Sequence, residues 1–199
     1  VQARSTARLA TLLDAAAAIV DEVGYERLTT AMVSERAGAS IGTVYRYFPD
    51  RIALLQALGA RNLERVLARV SDEVLDPRHP DWTSALEAAF GALVEAFRTE
   101  PGFRGLRVGD VIDLRPTPND RPYNSLVSDH ILDGLIARFG LADSAELRLA
   151  FETVIEVSDA LAARAFARNP KGDEPFLAAS RDIAYGILAP HFGEITRPA

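Results

Sequence analysis

Cysteine is absent from all 199 residues, which removes disulfides, thiol nucleophiles and thiolate metal sites together. Lysine occurs once, at Lys171, and the remaining basic positions are arginine apart from three histidines; that bias is compositional and carries no functional weight. Long apolar runs are missing too. The hydrophobic stretches are short and interrupted by charge, so no transmembrane helix and no membrane partner are expected. The chain opens without a signal-peptide pattern, because Arg4 and Arg8 lead into an amphipathic segment with an acidic end. A cytoplasmic setting is the expectation. His79, His130 and His191 are far apart and show no HxxxH spacing, so no metal is expected. Nucleophile elbow, phosphate loop and dinucleotide fingerprint are all lacking, so neither a cofactor nor an enzyme is expected.

What is present is ordinary for a soluble globular protein: 48% hydrophobic and 25% charged residues. The net charge of −6 argues at first against a nucleic-acid partner. Its distribution along the chain points the other way. Residues 1–51 hold six arginines (4, 8, 27, 36, 46, 51) against six acids (14, 21, 22, 26, 35, 50), and the acidic surplus lies wholly beyond them.

No alternating strand pattern or internal repeat occurs, and helical periodicity runs throughout. Leu9, Leu12, Leu13, Ala16, Val20 and Val23 place a first helix over 4–23, with Gly24 as its stop. Thr29 or Thr30 starts a second that ends by Gly38, and Ser40 caps a third reaching about Phe48. A long fourth helix follows Pro49–Asp50 over roughly 51–75. Further helices are expected at 83–100, 122–139, 143–168 and 174–189, the last halting before Pro190. The Gly/Pro-dense stretch from Pro101 to Pro122 has room for at most a short helix. The expected fold is all-α: an N-terminal three-helix domain over 1–50, joined by the long helix to a helical domain over 51–199.

Three short helices with a glycine-containing turn between the second and third match a helix-turn-helix. At about 100° per residue, Val44 and Phe48 point inward from the third helix, while Gly42, Thr43 and Arg46 face outward, flanked by Tyr45 and Tyr47. Glycine permits close approach of a backbone, the hydroxyls can donate to phosphate, and arginine adds charge. Ser40 at the helix start turns amides and the positive dipole end toward phosphate. Singly, each tyrosine reads better as a surface aromatic covering the rim. Taken together, with a glycine that costs a short helix about 1 kcal/mol, the group points to DNA.

The stretch "LTTAMVSERAGASIGTVYRYFPDRIALL", residues 28–55, resembles the N-terminal module of the TetR (tetracycline-repressor) family. The resemblance implies a homodimeric, ligand-responsive transcription regulator, usually a repressor, that binds a double-stranded DNA operator. It implies phosphate contacts from Thr30, Thr43, Tyr47 and Arg51, and base-edge contacts from Ile41, Gly42 and Tyr45; Arg46 could serve either role. Ile41 offers only apolar contact where a polar reader could sit, and Arg51 stands where lysine is usual.

In the second half, helix 143–168 is apolar on more than one side. Leu147, Phe151 and Val154 form one stripe, and Ala150, Val157, Leu161 and Ala165 extend another. The last helix adds Phe176, Ile183 and Ile187, with Ala179 and Gly186 between. The resemblance implies that these two helices make a four-helix dimer interface, with Val157, Leu161, Ala165, Ile183 and Ile187 as its candidates. It also implies a cavity for a small-molecule effector. Candidate linings are Phe90, Leu93, Phe97, Phe103, Leu106, Leu126, Phe151 and Ile155, with Tyr123, Asp129 and His130 as polar members. Each of these, taken singly, reads also as ordinary core. Two alternatives stay open: a helical ligand-binding scaffold whose helix-turn-helix is non-functional, and a hydrolase.

Overall fold

The computed structural model describes residues 2–108 and 123–193. Among them the regular structure is helical: α1 (Gln2–Val23), a 3-10 turn (Tyr25–Arg27), α2 (Thr30–Arg36), α3 (Ile41–Tyr47), α4 (Arg51–Leu75), α5 (Trp82–Thr99), α6 (Phe103–Val108), α7 (Tyr123–Phe139), α8 (Ala145–Phe166) and α9 (Glu174–Phe192). Most helix ends obey local chemistry. Gly24, at φ 84°, stops α1 in a backbone region that side chains other than glycine's rarely adopt. Thr29 caps α2 by accepting from the Met32 amide at 3.2 Å, and Asp50 caps α4 through the Ala53 amide at 2.8 Å. Ser144 caps α8 from the Leu147 amide.

The last helix departs from expectation. α9 continues through Pro190 to Phe192. Proline removes one amide and crowds the carbonyl four residues back; that residue is Gly186, and both positions face outward. The loss is therefore confined to one carbonyl open to water near the end of the helix.

The chain packs as two units, and their membership differs from a simple division at residue 50. The first comprises the chain up to Glu64 together with the segment that begins at Thr99; the second takes Arg65–Arg98 and the described residues from Tyr123 onward. In the first unit, Leu12, Ala16 and Val20 of α1 pack with Leu28, Val33, Val44, Phe48, Leu54 and Leu58. Short α6 joins this core, with Leu106 fully buried in it. Three features dock it there. Gly102 turns the chain at φ 76°, where a Cβ would sit 3.3 Å from the Ala17 Cα. Its amide donates to Asp21 Oδ1 at 2.9 Å. A Cβ on Gly105 would fall 2.9 Å from Val20 Cγ1, so glycine allows α6 to lie against α1.

In the second unit α8 packs against both α7 and α9. Its inward face is Leu147, Phe151, Val154, Ser158, Ala162, Ala165 and Phe166, all buried. α9 answers with Leu177, Ser180, Ala184 and Leu188. Phe97 of α5 stacks on Phe166 with ring centroids 4.8 Å apart and planes 9° from parallel. Tyr185 donates to Glu87 at 2.6 Å, tying α9 to α5.

Candidate nucleic-acid interface

The first unit displays α3 as the sequence pattern requires. Val44 and Phe48 are buried, at 0% and 3% exposure, and anchor the helix to α1 and α2. The turn before it is held by Ser34 Oγ donating to the Ala39 carbonyl at 2.7 Å and by Gly38 at φ 57°. Ser40 accepts from the Thr43 amide at 3.2 Å and lies 2.9 Å from the Thr43 hydroxyl, so the two side chains form the cap together.

On the outer side, Ile41 is 43% and Tyr45 51% exposed, and Gly42 and Arg46 are exposed between them. A Cβ built on Gly42 would meet only Ser40 Oγ, at 4.0 Å. Nothing inside the chain therefore requires glycine at this position. Thr30 Oγ donates to the Tyr45 hydroxyl across 3.4 Å, so α2 and α3 present these two groups side by side.

Tyr47 and Arg51 are more occupied than the motif suggests. The Tyr47 hydroxyl lies 3.1 Å from Ser5 Oγ and donates to the Ser5 carbonyl at 3.3 Å. Arg51 donates from Nε to the Leu28 carbonyl at 2.8 Å and from Nη2 to the Tyr25 carbonyl at 2.6 Å. Arg46, by contrast, extends over the Tyr47 ring, 5.5 Å from its centroid. Arg36 is committed to Glu22 at 2.6 Å; this hydrogen-bonded pair holds the Glu22 carboxyl below its ordinary value and raises the Arg36 guanidinium.

The first turns of α1 join this surface without a sequence signal. Ser5 meets Tyr47 across 42 residues, which brings exposed Arg4 and Arg8 of the same helix near the end of α3. No local pattern announces a contact of that separation.

Two family profiles match this chain. One, described as bacterial regulatory proteins of the tetR family, covers residues 12–58; the other, a tetracyclin repressor-like C-terminal domain, covers residues 80–192. The chain belongs to the TetR family. Among solved TetR-family structures, a transcriptional regulator from Streptomyces coelicolor is 32% identical, with 94% of this chain and 98% of that chain covered at a TM-score of 0.76. The TetR-family repressor AlkX from Dietzia, at 19% identity and TM-score 0.61 over 95% of this chain and 99% of its own, shares the fold. Among curated proteins, the transcriptional repressor KstR of Rhodococcus jostii is 43% identical over 58 residues, 29% of this chain and 27% of that protein. The matched stretch thus spans less than a third of that TetR-family relative.

The candidate effector-lining residues are divided between the two units. Phe103 and Leu106 belong to the first unit, at 2% and 0% exposure, because the Gly102 turn carries α6 onto α1. Phe97 and Phe151 are sealed in the second unit's core at 2% and 0%. Phe90, Leu93 and Ile155 are half-buried and His130 is exposed, while Arg181 lies over the Phe90 ring. Asp129 is spent on Arg148, at 3.3 Å, in an ion cluster with Asp133 and Asp143. The side chains of Tyr123 and Leu126 lie outside the described residues. A groove of about 560 Å³ is found instead between α4 and α5, with Arg69, Asp72 and Glu73 facing Ala88, Gly91, Ala92 and Glu95. The α4 wall carries the charges while the α5 wall is mostly small and apolar, and none of these positions figured among the candidates.

One dimer candidate also moves. Ala165 is 1% exposed and faces its own core; it falls only about 20° around the helix from Val154, on the inward stripe. Val157, Leu161 and Ile187 are half-buried and Ile183 is 41% exposed; Leu149, 67% exposed on α8, lies about 120° around the helix from Leu161.

Around the end of α4, Glu73 within the helix and Asp76 and His79 beyond it bring one potential ligand atom each to within 4.8 Å of one another. Asp76 is already held by the Arg78 side chain and amide. The side-chain bond first, and the backbone bond next, lower its carboxyl to about 2. A depressed carboxylate contributes stability above its unfolded pKa of ~3.9 and loses it as pH falls through the folded value. Arg78→Gln is expected to return the Asp76 titration, followed by carboxyl carbon NMR, toward that ordinary value; an unmoved titration would assign the shift to another group.

Proposed function

We propose that the chain is a DNA-binding transcriptional regulator, a repressor, which acts as a homodimer on a double-stranded operator and releases it on binding a small-molecule effector. In this reading residues 1–50 contact DNA, residues 51–199 dimerise and hold the effector, and the protein works in the cytoplasm. The observation that carries it is Gly42, exposed between Ile41, Tyr45 and Arg46, with no partner inside the chain that a Cβ would strike. A glycine in a seven-residue helix costs about 1 kcal/mol against alanine; the position makes sense where a nucleic-acid backbone or base edge comes close. Thr30, Ser40, Thr43 and Tyr45 then supply neutral donors, and Arg46 supplies charge.

The direct test is selection from a random duplex library with the purified protein. The expected product is a near-palindrome with half-sites about one helical turn, ~34 Å, or a multiple apart. Recovery of no sequence above background, at low salt, would favour the scaffold with a silent helix-turn-helix.

Gly42→Ala separates folding from recognition, because its two expected effects have opposite signs. The melting temperature rises by about 1–4 °C, since alanine favours the helix, while DNA affinity falls several-fold. Equal affinity in both proteins would remove the close-approach argument. Arg46→Ala is expected to reduce the slope of log K against log salt by ~0.9, one phosphate's worth. A changed sequence preference with an unchanged slope would place Arg46 on a base instead.

A further inference from the structure

We propose that the first turns of α1 add a phosphate grip to the interface, with Arg4 and Arg8 closing on the DNA backbone beside α3. This extends the DNA-binding reading above and rests on it. No acid stands between Arg4 and Asp14 in the sequence. Arg4 lies in the first turn of α1, where the helix dipole disfavours a positive charge. Both arginines are exposed, and neither has an ion-pair partner among the described residues. Elsewhere in the same unit arginines are matched: Arg36 with Glu22 and Arg61 with Asp14, each at 2.6 Å. Arg4 and Arg8 gain no counter-charge from the fold, so an anion outside it is what their placement suits.

Tyr47, the last residue of α3, fixes where this pair stands. Its hydroxyl lies 3.1 Å from Ser5 Oγ and donates to the Ser5 carbonyl at 3.3 Å. At about 100° per residue, Arg4 and Arg8 are about 40° apart around α1, and Arg8 is about 60° from Ser5. Leu12, about 20° from Ser5, is fully buried. Ser5 therefore marks the edge between the packed side of α1 and the side that carries both arginines. Arg46 of α3, also exposed, lies over the same Tyr47 ring, 5.5 Å from its centroid. Exposed arginines from two helices thus flank one side chain, next to the open face of α3. In a chain of net charge −6 this is a local reversal of sign. A DNA duplex, with one negative charge per ~1.7 Å of axis, complements it. With α3 in a major groove, the sugar–phosphate strand bordering that groove passes the end of the helix, and so passes Ser5. Contacts of this kind set register and orientation and carry no sequence information.

The test compares wild type with the double variants Arg4→Ala/Arg8→Ala and Arg4→Glu/Arg8→Glu. Arg168→Ala/Lys171→Ala, which removes two exposed cations from the second unit, controls for net charge. Binding to two duplexes of unrelated sequence is followed by fluorescence anisotropy across a salt series, and melting is measured without DNA. The double alanine variant is expected to reduce the slope of log K against log salt by ~1.8 for each subunit bound, two phosphates' worth. It weakens both duplexes by the same factor, about 10–100-fold at 0.1 M salt, and its melting temperature does not fall. The double glutamate variant melts at the wild-type temperature or up to about 2 °C higher, because acids suit the start of a helix, yet binds more weakly than the alanine variant. Opposite signs in melting and binding separate the grip from damage to the fold. The control keeps the wild-type slope. A wild-type slope in the double alanine variant would overturn the grip, and so would an equal loss of slope in the control, which assigns the effect to net charge. A loss confined to one duplex would also overturn it, by placing the arginines on base edges. If wild type itself binds neither duplex in a salt-dependent way, the DNA-binding reading fails first and takes the grip with it.

Discussion

Ile183→Asp is expected to leave the protein monomeric at micromolar concentration and to weaken its hold on a palindromic duplex by ~10²–10⁴-fold, the advantage of two linked heads over one. Ile183 is 41% exposed on α9, and a Cβ on neighbouring Gly186 would meet nothing within 4 Å. With half-buried Ala179 and Ile187, this makes an apolar stripe of low relief along the helix, where a partner helix can approach closely. A carboxylate placed there would be desolvated without a counter-charge, a cost larger than a modest interface can absorb. Light scattering and the duplex titration read the two effects independently. A variant that stays dimeric would place the interface elsewhere. Ala165 is unsuited to the same experiment, because a charge at a residue 1% exposed would unfold its own unit before separating subunits.

Phe97→Ala is expected to lower the melting temperature by about 6–20 °C. Removing a buried phenylalanine costs about 3–5 kcal/mol, and each kcal/mol shifts a domain of this size by about 2–4 °C. The ring is 2% exposed and stacked on Phe166, so a cavity would be left between α5 and α8. Phe97 was also a candidate for the effector lining, and the two roles predict different outcomes. A ring lining an open ligand cavity has already forfeited contacts on one side, and its loss would move the melting temperature by less than about 3 °C. A small shift would restore Phe97 to the effector site.

The helices and the exposed face of α3 were legible in the chain because their causes are local. Thr29, Ser40 and Gly24 act on backbone groups within four residues of themselves, and helical spacing alone sends Val44 and Phe48 inward and Tyr45 outward. The family resemblance likewise rested on one contiguous stretch, residues 28–55. Other assignments required partners that sequence distance conceals. The carbonyls that occupy Arg51 and the Ser5 that meets Tyr47 lie 23 to 42 residues away.

Composition and periodicity by themselves determined an all-helical chain with an exposed, glycine-bearing third helix, since a capped short helix needs no distant information to form or to present one face. Only the tertiary structure decided that α6 packs on α1, that Phe97 and Ala165 are core, and that Arg51 faces two carbonyls. Apolar side chains are interchangeable in a helical pattern: Phe103, Phe97 and Phe151 carry the same hydrophobic signal whether they fill a core, line a cavity or join a neighbouring unit. Which of these occurs depends on where a turn sends the chain, and one left-handed glycine, Gly102 at φ 76° with its amide on Asp21, directs buried Phe103 and Leu106 toward the first unit's core.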